Sequence, residues 1–353
     1  MDATLKPLKE RIVAAHHAGT PLRLHGNRTK DFYGASMHGE LLDTRGHGGI
    51  VDYEPSELVL TARCGTSLEE IAATLSKHGQ FLAFEPPAFG GDPTIGGIVA
   101  AGLSGPRRAQ VGAVRDFVLG TTLLAADGEL LRFGGQVMKN VAGFDVSRLL
   151  CGSLGILGLI TEVSIKVLPL PKQEVTLRLP MSAPEALAAF SGWRGQPLPI
   201  SAGSWAEGIT LVRLSGAPAA LAAARARIGG ETVADAEAAA WWDSLRNQTH
   251  PFFTSAESLW RLSVPATTPL MAIPGPSVVE WSGALRWHAT DLPPAEVRRL
   301  ATAAGGSAMQ WRGAPEGAMF HPLSPAVLAI HRKLKDRFDP RGIFNPGRLV
   351  AGL

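Results

Sequence analysis

The sequence predicts an α+β fold in two successive parts, followed by a helical tail. Residues 21–171 are dense in glycine and in short β-type runs, whereas residues 172–323 alternate alanine-rich helical segments with strands. Residues 324–337 again carry a helical pattern. We therefore expect a first domain at 1–171, a second α+β domain at 172–323 and a C-terminal helix and tail at 324–353.

The first part begins with an amphipathic helix and then turns to strands. Leu5, Leu8 and Ile12 recur at helical spacing, and Gly19 and Pro21 end the segment. Five runs have strand character: 22–25, 50–53, 58–62, 117–125 and 159–168. A second helix is expected at 67–78, where Ser67 and Glu70 form a capping box and Gly79 supplies the stop. Asp127-Gly128 predicts a hairpin turn.

The second part and the tail alternate helices with strands. Helices are expected at 184–190, 217–228 and 294–303, and strands at 174–179, 210–214 and 283–287. In the tail, an apolar stripe predicts a helix that packs against the body of the protein: Val327, Leu328, His331, Leu334 and Phe338. Pro340 and Pro346 end that helix.

Composition excludes several classes of protein. The longest apolar stretch, 149–160, is shorter than the roughly 18 residues that a membrane span needs. The charged N-terminus does not resemble a secretory signal, and only Cys64 and Cys151 are present, which favours a cytoplasmic location. Two distant cysteines exclude an iron–sulfur cluster of the chain's own, and a net charge of +3 without a basic cluster gives no support for nucleic-acid binding.

Two glycine-rich segments suit phosphate binding, because glycine lets backbone N–H groups approach an anion closely. They are residues 24–30 and 93–105, for which a plain connecting loop and a packed glycine helix, respectively, are the alternatives. The Walker pattern is absent. Residues 152–158 carry a faint dinucleotide fingerprint, but 159–167 alternate as a strand where a helix would be required, so a Rossmann domain is excluded.

Taken in order, the motifs resemble the FAD-binding domain of the vanillyl-alcohol-oxidase/PCMH-type flavoproteins. The matching segments are 23–30, Gly65-Thr66-Ser67, Pro93-Thr94-Ile95-Gly96-Gly97, residues 139–145, residues 152–158 and the tail 338–348. The resemblance implies two α+β subdomains with FAD between them, then an α+β cap domain and a C-terminal helix that returns to the FAD domain.

The resemblance also implies which residues bind FAD. The pyrophosphate loop falls on His25, Gly26, Asn27, Arg28, Thr29 and Lys30. The second glycine strip falls on Pro93, Thr94, Ile95, Gly96, Gly97, Gly102, Ser104 and Gly105. Gly158 and Ile160 would border adenine, and Lys139, Asn140, Asp145 and Asn345 belong to motifs close to the cofactor, although Asp145 also suits a structural role. Some relatives attach FAD through a histidine or cysteine near the first loop, but His25 lies in a loop used for phosphate contacts, so we expect non-covalent FAD.

Within this family the chain is similar to the FAD-binding subunits of bacterial glycolate oxidases. These work with a larger flavin-binding subunit and an iron–sulfur subunit, and they oxidise glycolate, a small 2-hydroxy acid, to glyoxylate. The histidine-rich metal motif of the larger 2-hydroxy-acid dehydrogenases is missing, and His321 stands alone, so no metal site is expected. By residue type, Arg261, Arg286, Arg312 and His288 are candidates for a carboxylate clamp or base, but no motif places them.

Three functions stay open from the sequence. The chain oxidises glycolate at its own flavin within a complex, or it relays electrons for or assembles a partner subunit that does so. Alternatively, it is a self-sufficient oxidase of another 2-hydroxy acid or a sugar alcohol. Trp241-Trp242, with Phe252-Phe253 nearby, is a candidate docking surface, with core packing as the alternative.

Overall fold

The computed structural model describes residues 2–35, 38–135, 145–314 and 319–353. The chain forms two compact units. The first comprises Met1–Leu103, Ala113–Pro169 and Pro322–Leu353, and the second comprises Ser104–Gly112 and Leu170–His321. The domain boundaries that we expect from the sequence, at 1–171, 172–323 and 324–353, remain a prediction.

Helices and strands are mixed throughout, which confirms the α+β class. The helices are α1 (Lys6–Ala18), α2 (Leu68–Ser76), α3 (Ile95–Ala101), α4 (Arg108–Val111), α5 (Val114–Phe117), α6 (Val146–Leu149), α7 (Ala183–Arg194), α8 (Pro218–Ile228), α9 (Asp235–Asn247), α10 (Pro251–Ser255), α11 (Pro294–Ala303) and α12 (Pro325–Phe338). The strands are β1 (Leu22–His25), β2 (Glu40–Asp43), β3 (Ile50–Glu54), β4 (Val59–Arg63), β5 (Gln80–Phe81), β6 (Val118–Leu124), β7 (Leu130–Gly134), β8 (Leu159–Lys166), β9 (Leu168–Pro169), β10 (Gln173–Pro180), β11 (Ile200–Ala206), β12 (Ile209–Gly216), β13 (Glu231–Thr232), β14 (Leu259–Ser263), β15 (Ser277–Glu280), β16 (Leu285–Ala289) and β17 (Ser307–Arg312).

Within the described residues, the first unit contains three sheets. A five-stranded antiparallel sheet has the order β3-β4-β8-β6-β7, and β1 pairs in parallel with β2 in a small separate sheet. A third pair joins β5 to β9. The predicted strands and the hairpin at Asp127-Gly128 are confirmed. Most residues of β6 and β8 are buried, and β6 pairs antiparallel with β7 across the turn.

Local signals set the helix ends of this unit as expected. In α1, Leu8 and Ile12 are buried, and Gly19 ends the helix in the left-handed conformation. In α2, the hydroxyl of Ser67 accepts a hydrogen bond from the backbone N–H of Glu70 at 3.1 Å. Both helices are therefore confirmed at positions predicted from their capping residues.

The second glycine-rich segment is helical. Thr94 caps the start of α3, and Gly102 ends it with φ 68°. The alternative of a packed glycine helix thus describes the backbone of this segment. It does not remove the segment from the candidate site, as described below.

An eight-stranded antiparallel sheet forms the centre of the second unit, in the order β13-β10-β12-β11-β15-β16-β14-β17. Phe190 of α7 and Leu221 of α8 pack with Val212 of β12 in one cluster. Val297 of α11 packs with Trp260 and Leu262 of β14 in another. The helices predicted at 184–190, 217–228 and 294–303 are confirmed, whereas α9, β11, β14, β15 and β17 have no counterpart among the sequence predictions.

The tryptophan-rich stretch packs in the interior, so the docking surface suggested there is wrong. Trp242 is buried, and its indole N–H donates to the hydroxyl of Thr176 at 2.9 Å. Trp241 is half-buried and donates to Ser204 at 3.0 Å. Phe252 and Phe253 are also buried. An aromatic pair beside polar partners therefore serves the core of the second unit.

The tail helix α12 forms as predicted, but its burial differs from the apolar stripe. Val327 is 39% exposed and the remaining stripe residues are half-buried. The buried residue is Lys335, whose ammonium donates to Asp339 Oδ2 at 2.7 Å and to the carbonyls of Ile156 and Phe344 at 2.7 and 2.9 Å. Polar contacts, which hydrophobic periodicity does not record, thus fix the end of this helix in the first unit.

Within the residues described, every helix is too short or too polar to span a bilayer.

Candidate cofactor site

A cleft in the first unit brings together three glycine-containing segments that lie far apart in the sequence. Its walls surround about 790 Å³ of empty space, which includes space open to solvent. Its lining comes from residues 24–31, from parts of 93–101 and 154–160, from Thr44 and Cys64, and from Asn345 and Arg348 of the tail. Of the residues that we predict for FAD, those lining the cleft are His25, Gly26, Asn27, Arg28, Thr29, Lys30, Pro93, Thr94, Gly96, Gly97, Gly158, Ile160 and Asn345.

The loop after β1 presents a row of free backbone donors. Among the described residues, the five consecutive N–H groups from Gly26 to Lys30 donate to no protein acceptor. The loop is also held in an uncommon conformation, since Arg28 has φ 60°. Consecutive free N–H groups in such a turn form a concave site for an anion.

Two of these peptides are held in place by hydrogen bonds to their own carbonyl oxygens. The carbonyl of His25 accepts from the N–H and the hydroxyl of Thr44, both at 3.0 Å. The carbonyl of Arg28 accepts from the N–H of Asp31 at 3.2 Å. Because a trans peptide is planar, a fixed carbonyl turns the N–H of the next residue to the opposite side. The N–H groups of Gly26 and Thr29 are therefore oriented by these contacts.

Close approach between the first two segments depends on Gly26. A Cβ on this residue would lie 2.2 Å from Thr94 Oγ1, so only glycine allows the loop to contact the cap of α3. Asn27 adds a second link, because its side-chain amide donates to the carbonyl of Asp92 at 2.5 Å. The loop and the glycine strip thus form one continuous wall.

Lys30 supplies a positive charge to the cleft. Burial lowers the pKa of its ammonium to about 8, because desolvation disfavours the charged form. Its Nζ lies 5.5 Å from the centre of the Phe89 ring and 3.2 Å from Thr29 Oγ1. An anionic ligand next to Lys30 would offset the desolvation and raise the pKa again.

The glycine strip offers a ligand bare backbone surface rather than free N–H donors. The N–H groups of Ile95 and Gly96 already donate to the carbonyls of Thr66 and Cys64, both at 2.9 Å. Gly97 donates to Thr94 Oγ1 at 3.4 Å, and it is the exposed residue of the strip. A ligand could therefore lie against the bare backbone at Gly97 without displacing these bonds.

The third wall is formed where β8 begins. Register with β4 ends at the pair Arg63–Glu162, and beyond it the carbonyl of Thr161 accepts from the N–H of Cys64 at 2.8 Å. Gly158 and Ile160 lie at this end of the strand and line the cleft. This is the position at which the family resemblance places adenine.

Asn345 joins two walls through its side chain. Its Oδ1 accepts from the N–H of Leu24 at 2.8 Å, and its Nδ2 donates to the carbonyl of Leu154 at 2.7 Å. The residue is buried and has φ 39°. Since both ends of its amide are bonded to backbone, Asn345 shapes the cleft.

Arg348 also lines the cleft, and sequence reasoning missed it as a site residue. Its guanidinium donates to the carbonyls of Lys30 at 3.1 Å, Asp31 at 2.9 Å and Ala35. Burial lowers the pKa of this guanidinium to about 10, so it stays charged at neutral pH. Its place three residues after Asn345 in the tail motif is the signal that could have identified it.

The other predicted site residues lie elsewhere or outside the description. Ile95 is fully buried, and a Cβ on Gly102 would lie 2.9 Å from Gly152 Cα, so both have packing roles. Asp145 caps α6 by accepting from the N–H of Arg148 at 3.2 Å. Ser104 and Gly105 belong to the second unit, where the carbonyl of Gly105 accepts from the indole of Trp281 at 3.0 Å. Lys139 and Asn140 lie outside the described residues.

Most of the second unit's candidate polar residues have structural partners. Arg286 is buried and donates to the carbonyls of Gly283 and Thr268 at 2.8 and 2.6 Å. Arg312 donates to the carbonyls of Phe253 and Ala256 at 2.5 and 2.8 Å. His321 accepts from the N–H of Ala308 at 3.2 Å. These contacts hold loops to the sheet.

Two further candidates differ in their surroundings. Burial, with a contribution from Arg286, lowers the pKa of His288 to about 4, so the imidazole is neutral at physiological pH. Arg261 is half-buried and lies 5.1 Å from the ring centre of Trp281. Across the described ranges, the acidic, histidine and cysteine side chains form no group that could hold a metal ion.

The geometry defines a cleft with a loop of free backbone donors at one wall. A family model described as "FAD binding domain" matches residues 3–134, which include that loop and the glycine strip. The cofactor predicted from the sequence is thereby confirmed as FAD. The class defined by the fold and the site is that of the FAD-dependent oxidoreductases.

The chain is 46% identical to the glycolate oxidase subunit GlcE of Escherichia coli K12 over 346 residues, which cover 98% of this chain and 97% of that protein. The chain therefore belongs to the family of this glycolate oxidase subunit. The resemblance stated from the sequence motifs is confirmed.

More distant relatives match about a third of the chain. D-lactate dehydrogenase of Anaerostipes hadrus is 34% identical over 131 residues, which are 37% of this chain and 27% of that protein. Glycolate oxidase subunit GlcD of Bacillus subtilis 168 is 33% identical over 128 residues, which are 36% of this chain and 27% of that protein.

A solved structure of alkyldihydroxyacetonephosphate synthase has the same fold. It superimposes with a TM-score of 0.67 at 15% identity, over 97% of this chain and 75% of that chain. At this identity the likeness concerns the fold alone. It confirms the predicted PCMH-type architecture.

Proposed function

We propose that the chain binds FAD non-covalently in this cleft, with the pyrophosphate on the N–H groups of residues 26–30. Two observations support the assignment. The free donors number more than any single carboxylate would need, and Lys30 adds a cation beside them. Gly97 and Thr94 would face the dinucleotide from the second wall, and Gly158 and Ile160 would border adenine.

The state of two nucleophilic side chains supports non-covalent binding. Burial raises the pKa of the Cys64 thiol to about 12, so the thiol is protonated and is a poor nucleophile. His25 Nδ1 lies 3.0 Å from the carbonyl of Gly26, which occupies that nitrogen when it is protonated. The Cys64 thiol is therefore not activated for attachment to a flavin, and one ring nitrogen of His25 lies against the backbone.

We further propose that the chain is the FAD-binding subunit of a glycolate-oxidising complex. The observation that carries this is the 46% identity with the Escherichia coli glycolate oxidase subunit over 98% of the chain. The partners would be a larger flavin-binding subunit and an iron–sulfur subunit, which would accept the electrons. A cytoplasmic location, in contact with the membrane only through these partners, follows from the same proposal.

The reaction removes two electrons and two protons from glycolate to give glyoxylate. When bound, the flavin would supply the hydride acceptor for this oxidation. The chain's own part is to hold the cofactor by its phosphates, with the loop donors and the charge of Lys30, and to exclude water from the buried wall of the cleft. No described residue is assigned here as the base.

Spectroscopy of the purified chain tests this proposal. We expect a flavin spectrum, complete release of FAD into the supernatant on acid precipitation, and anaerobic bleaching of the flavin of the isolated chain by glycolate. Flavin that stays in the precipitate would contradict non-covalent binding. Release of FMN would contradict the dinucleotide site.

A second candidate, electron relay or assembly without substrate oxidation by this chain, is favoured by one observation. Arg286 and Arg312, two of the three arginines considered for a carboxylate clamp, already donate to backbone carbonyls. If the flavin of the isolated chain is not bleached by glycolate but is reduced when the larger flavin subunit is added, this candidate holds. Oxygen consumption by the isolated chain with a 2-hydroxy acid or sugar alcohol would instead indicate a self-sufficient oxidase.

A further inference from the structure

The tail of the chain is hydrogen-bonded to residues 30–35, which follow the loop of free backbone donors at 26–30. Arg348 donates from Nη2 to the carbonyls of Lys30 and Asp31 at 3.1 and 2.9 Å, and from Nη1 to that of Ala35. In return, the N–H of Ala35 donates to the carbonyl of Arg348 at 2.9 Å. Four hydrogen bonds thus connect one tail residue to the stretch 30–35.

The tail itself is anchored to the rest of the first unit through several buried hydrogen bonds. Asn345 bonds to Leu24 and Leu154 through both ends of its amide. Lys335 and Asp339 form a buried pair at 2.7 Å, and Asp339 also accepts from the N–H groups of Ile343 and Phe344 at 3.0 and 2.8 Å. Arg348 therefore extends from a fixed support.

The carbonyls that Arg348 holds belong to the end of the loop that presents the free donors. Fixing the carbonyl of Lys30 turns the N–H of Asp31 the other way, where it closes the turn to the carbonyl of Arg28 at 3.2 Å. Because the carbonyl of Arg28 is held in this turn, the N–H of Thr29, which belongs to the same peptide, points to the opposite side. The contact of Arg348 with Lys30 is thus linked, through two peptides, to the donors in the middle of the loop.

We infer that Arg348 is a positioning residue of the cofactor site, which holds the 26–30 loop in the conformation that receives the pyrophosphate. This rests on the proposal that FAD lies in the cleft with its phosphates on that loop. The role depends on the planar fork of the guanidinium, since its two Nη atoms divide three carbonyls between them, two on Nη2 and one on Nη1. The direct cation for the phosphates is Lys30.

Arg341 offers a matched control in the same tail. Its Nη1 also donates to two backbone carbonyls, those of His16 and His17 at 2.9 and 3.0 Å, but it does not line the cleft. Replacing it removes a similar set of contacts to a different segment. Arg341→Met therefore reports what the loss of such an anchor costs in general.

The test compares Arg348→Met, Arg348→Lys and Arg341→Met by titration of apoprotein with FAD, ADP and adenosine, together with thermal unfolding. We expect both Arg348 variants to bind FAD and ADP roughly 10- to 100-fold more weakly, because about 1.5–3 kcal/mol of charge-assisted hydrogen bonding is lost from the loop. Adenosine, which has no phosphate, should bind as to wild type. Arg341→Met should bind all three ligands as wild type does.

Other outcomes would overturn the positioning role or contradict the proposed function. Wild-type affinity in Arg348→Lys with weak binding in Arg348→Met would mean that charge alone matters, and would overturn the positioning role. So would unchanged binding in both variants, or equal loss of ADP and adenosine with a lowered melting temperature. If Arg348→Met does not fold, Arg348→Lys carries the comparison. Failure of the wild-type chain to bind FAD reversibly would instead contradict the proposed function.

Discussion

A Cβ on Gly96 would lie 2.7 Å from the Cβ of Cys64 and 3.0 Å from its carbonyl oxygen. The N–H of Gly96 donates to that same carbonyl at 2.9 Å. The start of α3 is therefore pressed against the end of β4, and glycine at position 96 is required by packing within the protein. Gly97 differs, since a Cβ there would meet only Thr94 Oγ1, at 3.3 Å, and the residue is exposed to the cleft.

Valine at these two neighbouring positions should have different effects. Gly96→Val should lower the free energy of unfolding by about 1–3 kcal/mol or more through overpacking. Gly97→Val should leave a folded apoprotein and weaken FAD binding, because its side chain would occupy cleft surface. Circular dichroism melts and the flavin content of the purified variants measure both effects. Normal FAD content with normal stability in Gly97→Val would remove the strip from the cofactor site.

The pH dependence of FAD binding should depend on Lys30. Its pKa in the apoprotein is about 8, lowered by burial from 10.5, and an adjacent phosphate would raise it. Binding is then strongest below pH 8, and FAD affinity should fall by up to about tenfold per pH unit as pH rises above 8. Titrations with FAD from pH 7 to pH 9.5 measure this slope.

The stability of the apoprotein should move in the opposite direction over the same range. The folded-state pKa of Lys30 lies below the unfolded value, so the unfolded chain binds more protons between about pH 8 and 10.5 and the contribution to stability rises with pH there. Lys30→Met should remove both trends, and the difference between wild type and variant isolates this residue from other titrating groups. If FAD affinity has the same pH slope in wild type and Lys30→Met, the phosphates lie away from Lys30.

The buried pair at the end of α12 should stabilise the first unit. Lys335→Met leaves the Asp339 carboxylate with its backbone donors and should cost about 3–5 kcal/mol of unfolding free energy. Asp339→Ala should cost more, since it leaves the Lys335 ammonium without its counterion and frees two buried N–H groups.

Urea denaturation compares these variants with Lys333→Met, an exposed lysine on the same helix, which should match wild type. A smaller loss in Asp339→Ala than in Lys335→Met would show that the backbone donors find other acceptors.

Much of the first unit could be predicted because its signals are local. Ser67 caps α2, Gly19 ends α1, and β1 has the limits that its flanking residues indicate. The three segments of the cleft were also found, because each combines glycine with a strand or helix boundary. Local patterns could not show which backbone donors remain free. In the glycine strip, two N–H groups donate to the carbonyls of Thr66 and Cys64, whereas those of the first loop have no acceptor among the described residues of the protein.

Other features depend on contacts between distant parts of the chain. Arg348 lies more than 300 residues after the loop that it holds, so no spacing rule connects them. In α12 the apolar stripe did not predict which side chain is buried. The buried side chain is that of Lys335, which has polar partners at positions 156, 339 and 344. In the second unit, β14 and β17 carry polar residues within buried strands, which obscures strand periodicity.

Purification of the tagged chain from its native host tests the proposal that this chain is the FAD-binding subunit of a glycolate-oxidising complex. We predict that a second, larger flavoprotein and an iron–sulfur protein copurify with it, and that the complex carries FAD on this chain and reduces an acceptor dye with glycolate. A chain that emerges alone, flavin-loaded and fully active with glycolate would contradict the claim.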